Sequence, residues 1–190
     1  MMNQKELKQR YADILSAEVW KDPKMVDYCV KKTAHIVELV NGDIIAIEKP
    51  SIQKNFCFGY SDSRYDTEDY DRANDMAEHA RNSVDYFLEE NLKGINETID
   101  SLEGKGRHNW EWRVAIPYYG QSKDSKLRSI WCVDIWEDRG KEYPLLEGED
   151  LQRVIEGYKV VKADFEKRLN TYLKRYGLSK VNSWSYWRDA

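Results

Sequence analysis

Two β-branched runs, AHIVELV over residues 34–40 and DIIAIE over residues 43–48, stand on either side of Asn41-Gly42. Asn-Gly suits the two positive φ angles of a type I′ turn, so this stretch predicts a hairpin with a two-residue loop. In that register His35 lies opposite Glu48. Pro50 closes the hairpin, and IQKNFCFGY after it predicts a third strand ending near Gly59. A second hairpin follows further along. Trp110, Trp112, Val114, Ile116 and Tyr118 alternate with Glu111, Arg113, Ala115 and Pro117, which gives one wholly apolar strand face. After the polar loop GQSKDS, Leu127, Trp131, Val133 and Ile135 form the matching inner set.

Helical periodicity surrounds these strands. Leu7, Tyr11, Ile14, Leu15 and Val19 share one side of a helix, Asp22-Pro23 interrupts it, and a second short helix starts at Pro23 with Val26, Cys29 and Val30 inward. Residues 1–32 are thus an N-terminal helical segment. Asp66-Thr67-Glu68-Asp69 opens a long helix over 67–103, with Gly94 as a kink or break and Gly104 and Gly106 at its end. A last amphipathic helix over 149–176 carries Leu151, Val154, Ile155, Tyr158, Val161, Phe165, Leu169, Tyr172 and Tyr176 inward, with Gly177 as its C-cap. The aromatic tail 178–190 follows. The order α-βββ-α-ββ-α predicts an α+β fold, a five-stranded, mainly antiparallel sheet packed on long helices, in a single domain over 1–190.

At 190 residues, with 41% hydrophobic and 34% charged residues, the chain reads as one soluble domain able to bury a sizeable core. No window reaches 18 consecutive apolar residues, and MMNQKELKQRYADIL is polar where a secretory leader would be apolar, so a cytoplasmic protein without a membrane partner is expected. Cys29, Cys57 and Cys132 lie far apart, which argues against a disulfide framework or a zinc knuckle.

An enzyme needs a nucleophile, a base and a charge stabiliser close together. His35 reads as a cross-strand polar partner of Glu48. His79, four residues after Asp75, reads as a salt-bridged helix surface, and His108 in KGRHNW as solvated. In the second hairpin one register sets Glu111 opposite Asp134, a carboxylate pair suited to a hard cation. A slip of two sets Arg113 opposite Asp134 as an ordinary salt bridge. Phosphate loops and the GxSxG elbow are absent, and DSRYDTEDYD lacks the glycine and final glutamate of a calcium loop. No catalytic residue, metal or cofactor is therefore assigned.

Charge is distributed unevenly. Residues 61–104 hold 13 acids and 4 bases, a net −9 in a chain of net −4. Within them Asp62, Asp66, Glu68, Asp69, Asp71, Asp75 and Glu78 are interleaved with Tyr65 and Tyr70. A helix dipole acts only over the first turn, so this is more acid than a helix start uses. Such a block is either a solvated face or a surface offered to a protein with a basic, nucleic-acid-binding groove. Trp184, Tyr186 and Trp187 either fold back over the core or form an exposed anchor. The rivals are direct nucleic-acid binding, through Lys159, Lys162, Lys167, Arg168, Lys174 and Arg175 of the last helix, and a metal-dependent enzyme using Glu111, Asp134 or His79.

The segment KPSIQKNFCFGYSDSRYDTEDYDRANDMAEHAR, followed by an amphipathic helix, resembles small accessory proteins of bacterial phages and mobile elements, among them anti-defence inhibitors of the anti-CRISPR type. The resemblance covers about a quarter of the chain and carries over no residue role. It implies a small cytosolic protein that binds a host or defence complex rather than one that turns over a metabolite.

Overall fold

The computed structural model describes residues 2–52, 83–105, 110–118, 120–134 and 144–175. Their elements are α1 (Gln4–Ile14), a π turn (Leu15–Val19), α2 (Pro23–Lys32), β1 (Thr33–Glu38), β2 (Ile44–Glu48), α3 (Ser83–Leu102), β3 (Trp110–Pro117), β4 (Leu127–Asp134) and α4 (Gly148–Arg175). The expected third strand lies outside the described residues beyond Ile52, as does the first half of the helix expected over 67–103. By its own contacts the chain divides into two compact units, residues 1–49 with 95–163 and residues 50–94 with 164–190.

In the first unit the helical segment is punctuated as its residue types require. The Asn3 side chain accepts from the Lys5 and Glu6 amides at 3.0 Å, and the Glu6 carboxylate accepts from the Asn3 amide at 2.8 Å, a reciprocal cap. The chain then widens into the π turn, closed by the Trp20 amide donating to the Leu15 carbonyl at 2.8 Å. Asp22 caps α2 through the Lys24 amide, with Pro23 at the first helical position. Leu7, Tyr11, Leu15 and Val26 pack on Ile36, Ile44 and Leu127 of the sheet. On α4, Gly157 comes so close to β1 and β2 that a Cβ there would lie 2.5 Å from Val37 Cγ2. Helices thus cover both faces, which is why AHIVELV and DIIAIE read as nearly continuous apolar runs rather than alternating ones.

The α+β class holds, but among the described residues the sheet has four strands and is mixed, in the order β1-β2-β4-β3. Each hairpin is antiparallel within itself. The two meet through a parallel pair, Ile44 with Leu127 and Ile45 with Arg128, so the sheet is mixed where a mainly antiparallel one was expected. A long crossover joins them, and such a connection can bring two strands side by side in the same direction where a tight turn cannot.

Both hairpin registers differ from expectation. Leu39 and Asp43 bond across the first turn, Glu38 pairs with Ile44, and the loop is therefore Val40-Asn41-Gly42, three residues rather than two. Gly42 has φ +82°, and no non-glycine residue described has a positive φ, so Asn41 does not take the type I′ conformation. A three-residue loop with glycine left-handed at its end replaces it. His35 consequently pairs with Ile47, and a further irregularity between Thr33 and His35 sets Thr33 opposite Glu48. In the second hairpin an irregularity between Glu111 and Val114 sets Glu111 opposite Val133 and Trp110 opposite Asp134. In that register neither Glu111 nor Arg113 is the cross-strand neighbour of Asp134.

Both outer strands are covered, which blunts the tendency of exposed edges to recruit other chains. The Gln4 side chain acts as a short strand against β1, donating to the Ile36 carbonyl at 2.8 Å and accepting from the Ile36 amide at 3.0 Å. On β3 the Ala115 amide donates to the Pro144 carbonyl, and Val114 bridges Leu145.

In the second unit Phe165, Leu169 and Leu173 of α4 form a cluster with Ile52, Leu88, Leu92 and Tyr172 packed on it. Arg168 donates to the Pro50 carbonyl at 3.3 and 3.4 Å and lies 5.1 Å from the centre of the Phe165 ring. α3 runs through Gly94 as one helix, without the break its glycine suggested.

Candidate functional site

The residues proposed for partner binding, Asp62, Tyr65, Asp66, Glu68, Asp69, Tyr70, Asp71, Asp75 and Glu78, lie outside the described residues, as do Trp184, Tyr186, Trp187, His79 and His108. At the C-terminal end of the acidic segment, Glu97 and Asp100 are exposed. Glu103 is bonded instead to Lys105 at 2.7 Å and Lys159 at 2.8 Å, and these hydrogen bonds hold its carboxyl at about 2.

The densest polar cluster described sits at the tip of the first hairpin, around a residue the sequence did not single out. Asp43 has a side chain 3% exposed. Its Oδ2 accepts from Arg128 Nε at 2.9 Å and from Asn41 Nδ2 at 3.0 Å, while Lys126 Nζ lies 3.3 Å from Oδ1. The Asp43 amide donates back to Asn41 Oδ1 at 2.9 Å, so the Asn-Gly-Asp turn folds onto itself and aims the carboxylate at β4. Burial pushes this carboxyl up, but the hydrogen bonds from Arg128 and Asn41 and the Lys126 charge outweigh burial and hold it below the ordinary value.

Two further elements converge on the same tip. Arg10 of α1 donates to Glu38 at 2.9 Å and to the Gly42 carbonyl. Arg153 of α4 donates to the Glu38 carbonyl at 2.8 Å and to Glu149, and Asp150 accepts from the Val40 amide at 2.7 Å. These charges are bonded to one another, and an aspartate held ionised between cations is a poor proton acceptor near neutral pH. Chemically the arrangement is an anchor that fixes the hairpin tip to α1, β4 and α4. Its signal in the sequence is weak, because Arg128 is 85 residues from Asp43.

His35 is half-buried. The two Gln4 bonds to Ile36 fix which end of that amide is nitrogen, and this Nε2 faces His35 Nε2 at 3.4 Å. His35 Nε2 must therefore accept, which places the ring proton on Nδ1. Burial, with the charge of Lys8, pushes the pKa of His35 down. Burial likewise pushes the hydroxyls of Tyr11 and Tyr158 up to about 12.

Among the cations proposed to track nucleic acid on the last helix, Lys159 is tied to Glu103 and Glu156, and Arg168 to Asp164 at 3.2 Å. No group of three or more His, Cys, Asp or Glu placed to hold a metal occurs among the described residues. No helix among them is long and apolar enough to cross a membrane. No family model, curated protein or solved structure matches this chain.

Proposed function

We propose that the protein is a non-enzymatic binding protein that engages a basic, nucleic-acid-binding surface of a protein partner through Asp62, Asp66, Glu68, Asp69, Asp71, Asp75 and Glu78, with Tyr65 and Tyr70 between them. The observation that carries this reading is charge segregation: residues 61–104 hold 13 acids and 4 bases, and the remainder of the chain holds 21 acids and 26 bases. Like charges set this close repel, and a basic groove would relieve that repulsion while speeding encounter. The likeness to phage and mobile-element proteins suggests that the partner is a host defence complex and that binding inhibits it.

The test is affinity capture from a host lysate with the wild-type chain and the Asp62→Lys, Glu68→Lys, Asp71→Lys triple variant side by side. The variant should keep the wild-type melting temperature within a few degrees, since surface changes generally stay within about 0.5 kcal/mol. It should lose its partner severalfold or more, since like charges facing across an interface cost several kcal/mol. Equal recovery of the same proteins by both baits would refute the proposal and turn attention to Trp184, Tyr186 and Trp187.

A further inference from the structure

The ten residues of α2, PKMVDYCVKK, divide into two faces. Val26 is buried and Cys29 and Val30 are partly buried against the sheet-side cluster. At about 100° per residue, Lys24, Tyr28 and Lys31 fall within about 60° of one another on the opposite side, with Lys32 about 40° further round. All four are exposed, Tyr28 at 51%. Lys49 joins the group at the C-terminal end, where its amide donates to the Lys32 carbonyl and its Nζ to the Lys31 carbonyl at 2.7 Å. Trp20, 39% exposed, stands just before the helix.

We propose that this face of α2 is a binding surface for single-stranded nucleic acid, with Lys24, Lys31 and Lys32 meeting phosphates and Tyr28 stacking on a base.

Two contrasts support it. Among the described residues Arg10, Lys105, Lys126, Arg128, Arg153, Lys159 and Arg168 each contact a carboxylate within 4 Å, while scattered cations such as Lys5, Lys8, Lys123 and Lys167 do not. Among these residues, only on α2 do such cations share one helix face with an exposed aromatic ring. Lys24, Lys31 and Lys32 make no such contact among the described residues. Lys32 instead lies 4.6 Å from the centre of the Tyr28 ring. The second contrast is with helix stabilisation. Cations at a helix C-terminus complement the dipole, which accounts for Lys31 and Lys32 alone. Lys24 sits in the first turn, where the dipole opposes a cation. Asp27 flanks the face, and the field of Glu48 reaches Lys32. Neither carboxylate ion-pairs with these lysines among the described residues. An exposed aromatic ring beside unpaired lysines fits a strand with both phosphates and stackable bases better than an acidic polypeptide, which offers charge only. The surface is independent of Asp62 to Glu78, so its failure would leave the proposed function untouched.

The experiment is fluorescence anisotropy of the full chain with labelled oligo-dT and oligo-U at 50–200 mM salt. Three phosphate contacts at a slope of about −0.7 each should weaken binding about 20-fold across that range. Lys24→Ala, Lys31→Ala and Lys32→Ala combined should lower affinity and flatten the salt slope. Tyr28→Ala should weaken binding about fivefold or more and leave the slope unchanged. The control Lys167→Ala, Lys174→Ala, Arg175→Ala on α4 should bind as wild type, with circular dichroism confirming that every variant is folded. Absence of binding at 50 mM would overturn the proposal, as would equal loss in the α4 control. So would polyglutamate competing as well as the oligonucleotide while Tyr28→Ala has no effect, which would make the face an acidic-protein site.

Discussion

Replacing Gly157 by alanine sets two known effects against each other. In a solvent-facing helix the exchange would stabilise by about 1 kcal/mol, because glycine has the greater backbone freedom to lose on folding. At Gly157 the new Cβ would lie 2.5 Å from Val37 Cγ2, 3.1 Å from Ile47 Cδ1 and 3.3 Å from His35 Cδ2. Carbon atoms rest about 3.5–4.0 Å apart, so at least two strands must give way. Overpacking of this kind costs about 1–3 kcal/mol. Because the nearest contact is an ångström too short, the upper part of that range applies, and the net effect is a loss of about 1–2 kcal/mol. Gly94 provides the matched control. It lies within α3, nothing stands within 4 Å of its added Cβ, and Gly94→Ala should gain up to about 1 kcal/mol. For a chain of this size each kcal/mol moves the melting temperature by about 2–4 °C. Urea unfolding with parallel thermal melts would give both signs, and hydrogen exchange at Val37 and Ile47 would locate the effect. A Gly157→Ala variant as stable as wild type or more so would refute the close packing of α4 on β1 and β2.

Three further outcomes are expected. Arg128→Ala leaves Asp43 buried without its closest cation and should cost about 3–5 kcal/mol in urea unfolding, whereas Asp43→Asn, which removes the buried charge, should cost less; equal losses would show that charge is not what the tip depends on. Gln4→Ala removes both bonds to Ile36, worth about 1 kcal/mol each, and should speed exchange of the Ile36 amide relative to those of β2; unchanged exchange would rule out the Gln4 clamp. His35 has a depressed pKa, so the unfolded chain binds its proton first, and stability should fall as pH drops below the ordinary histidine value of 6.5. His35→Gln should flatten that part of the stability curve, and an unaltered curve would refute the neutral His35.

How far the sequence specified this structure depends on how local each cause is. Breaks and periodicity are local, and Asp22-Pro23 and the apolar spacing of α1, α2 and α4 led to the observed helices. The first hairpin was legible in place but not in register. Asn41 can satisfy an Asn-Gly turn with a positive φ or with its side chain. Here its Oδ1 takes the Asp43 amide, and the cross-strand pairs from His35 to Glu38 are shifted by one. The parallel contact of β2 with β4 joins residues more than 80 positions apart, and no local pattern encodes it. Gly157 is similar: in the sequence it is a weak point in a helix, and only the facing β1 and β2 explain it. Asp43 was read only as the first residue of the run DIIAIE, because the groups that make it an anchor come from β4 and the loop before it.

The block Asp62 to Glu78 carries seven of the chain's 34 acids and lies outside the described residues. The tip network around Asp43 is made by residues of 1–49 and 95–163. Exposed acids offered to a partner contribute little to folding, so on the proposed reading reversal of Asp62, Glu68 and Asp71 in the triple variant changes capture and not stability. A large fall in its melting temperature would mean that these acids serve the fold rather than an interface, and would refute the charge-complementarity argument on stability alone.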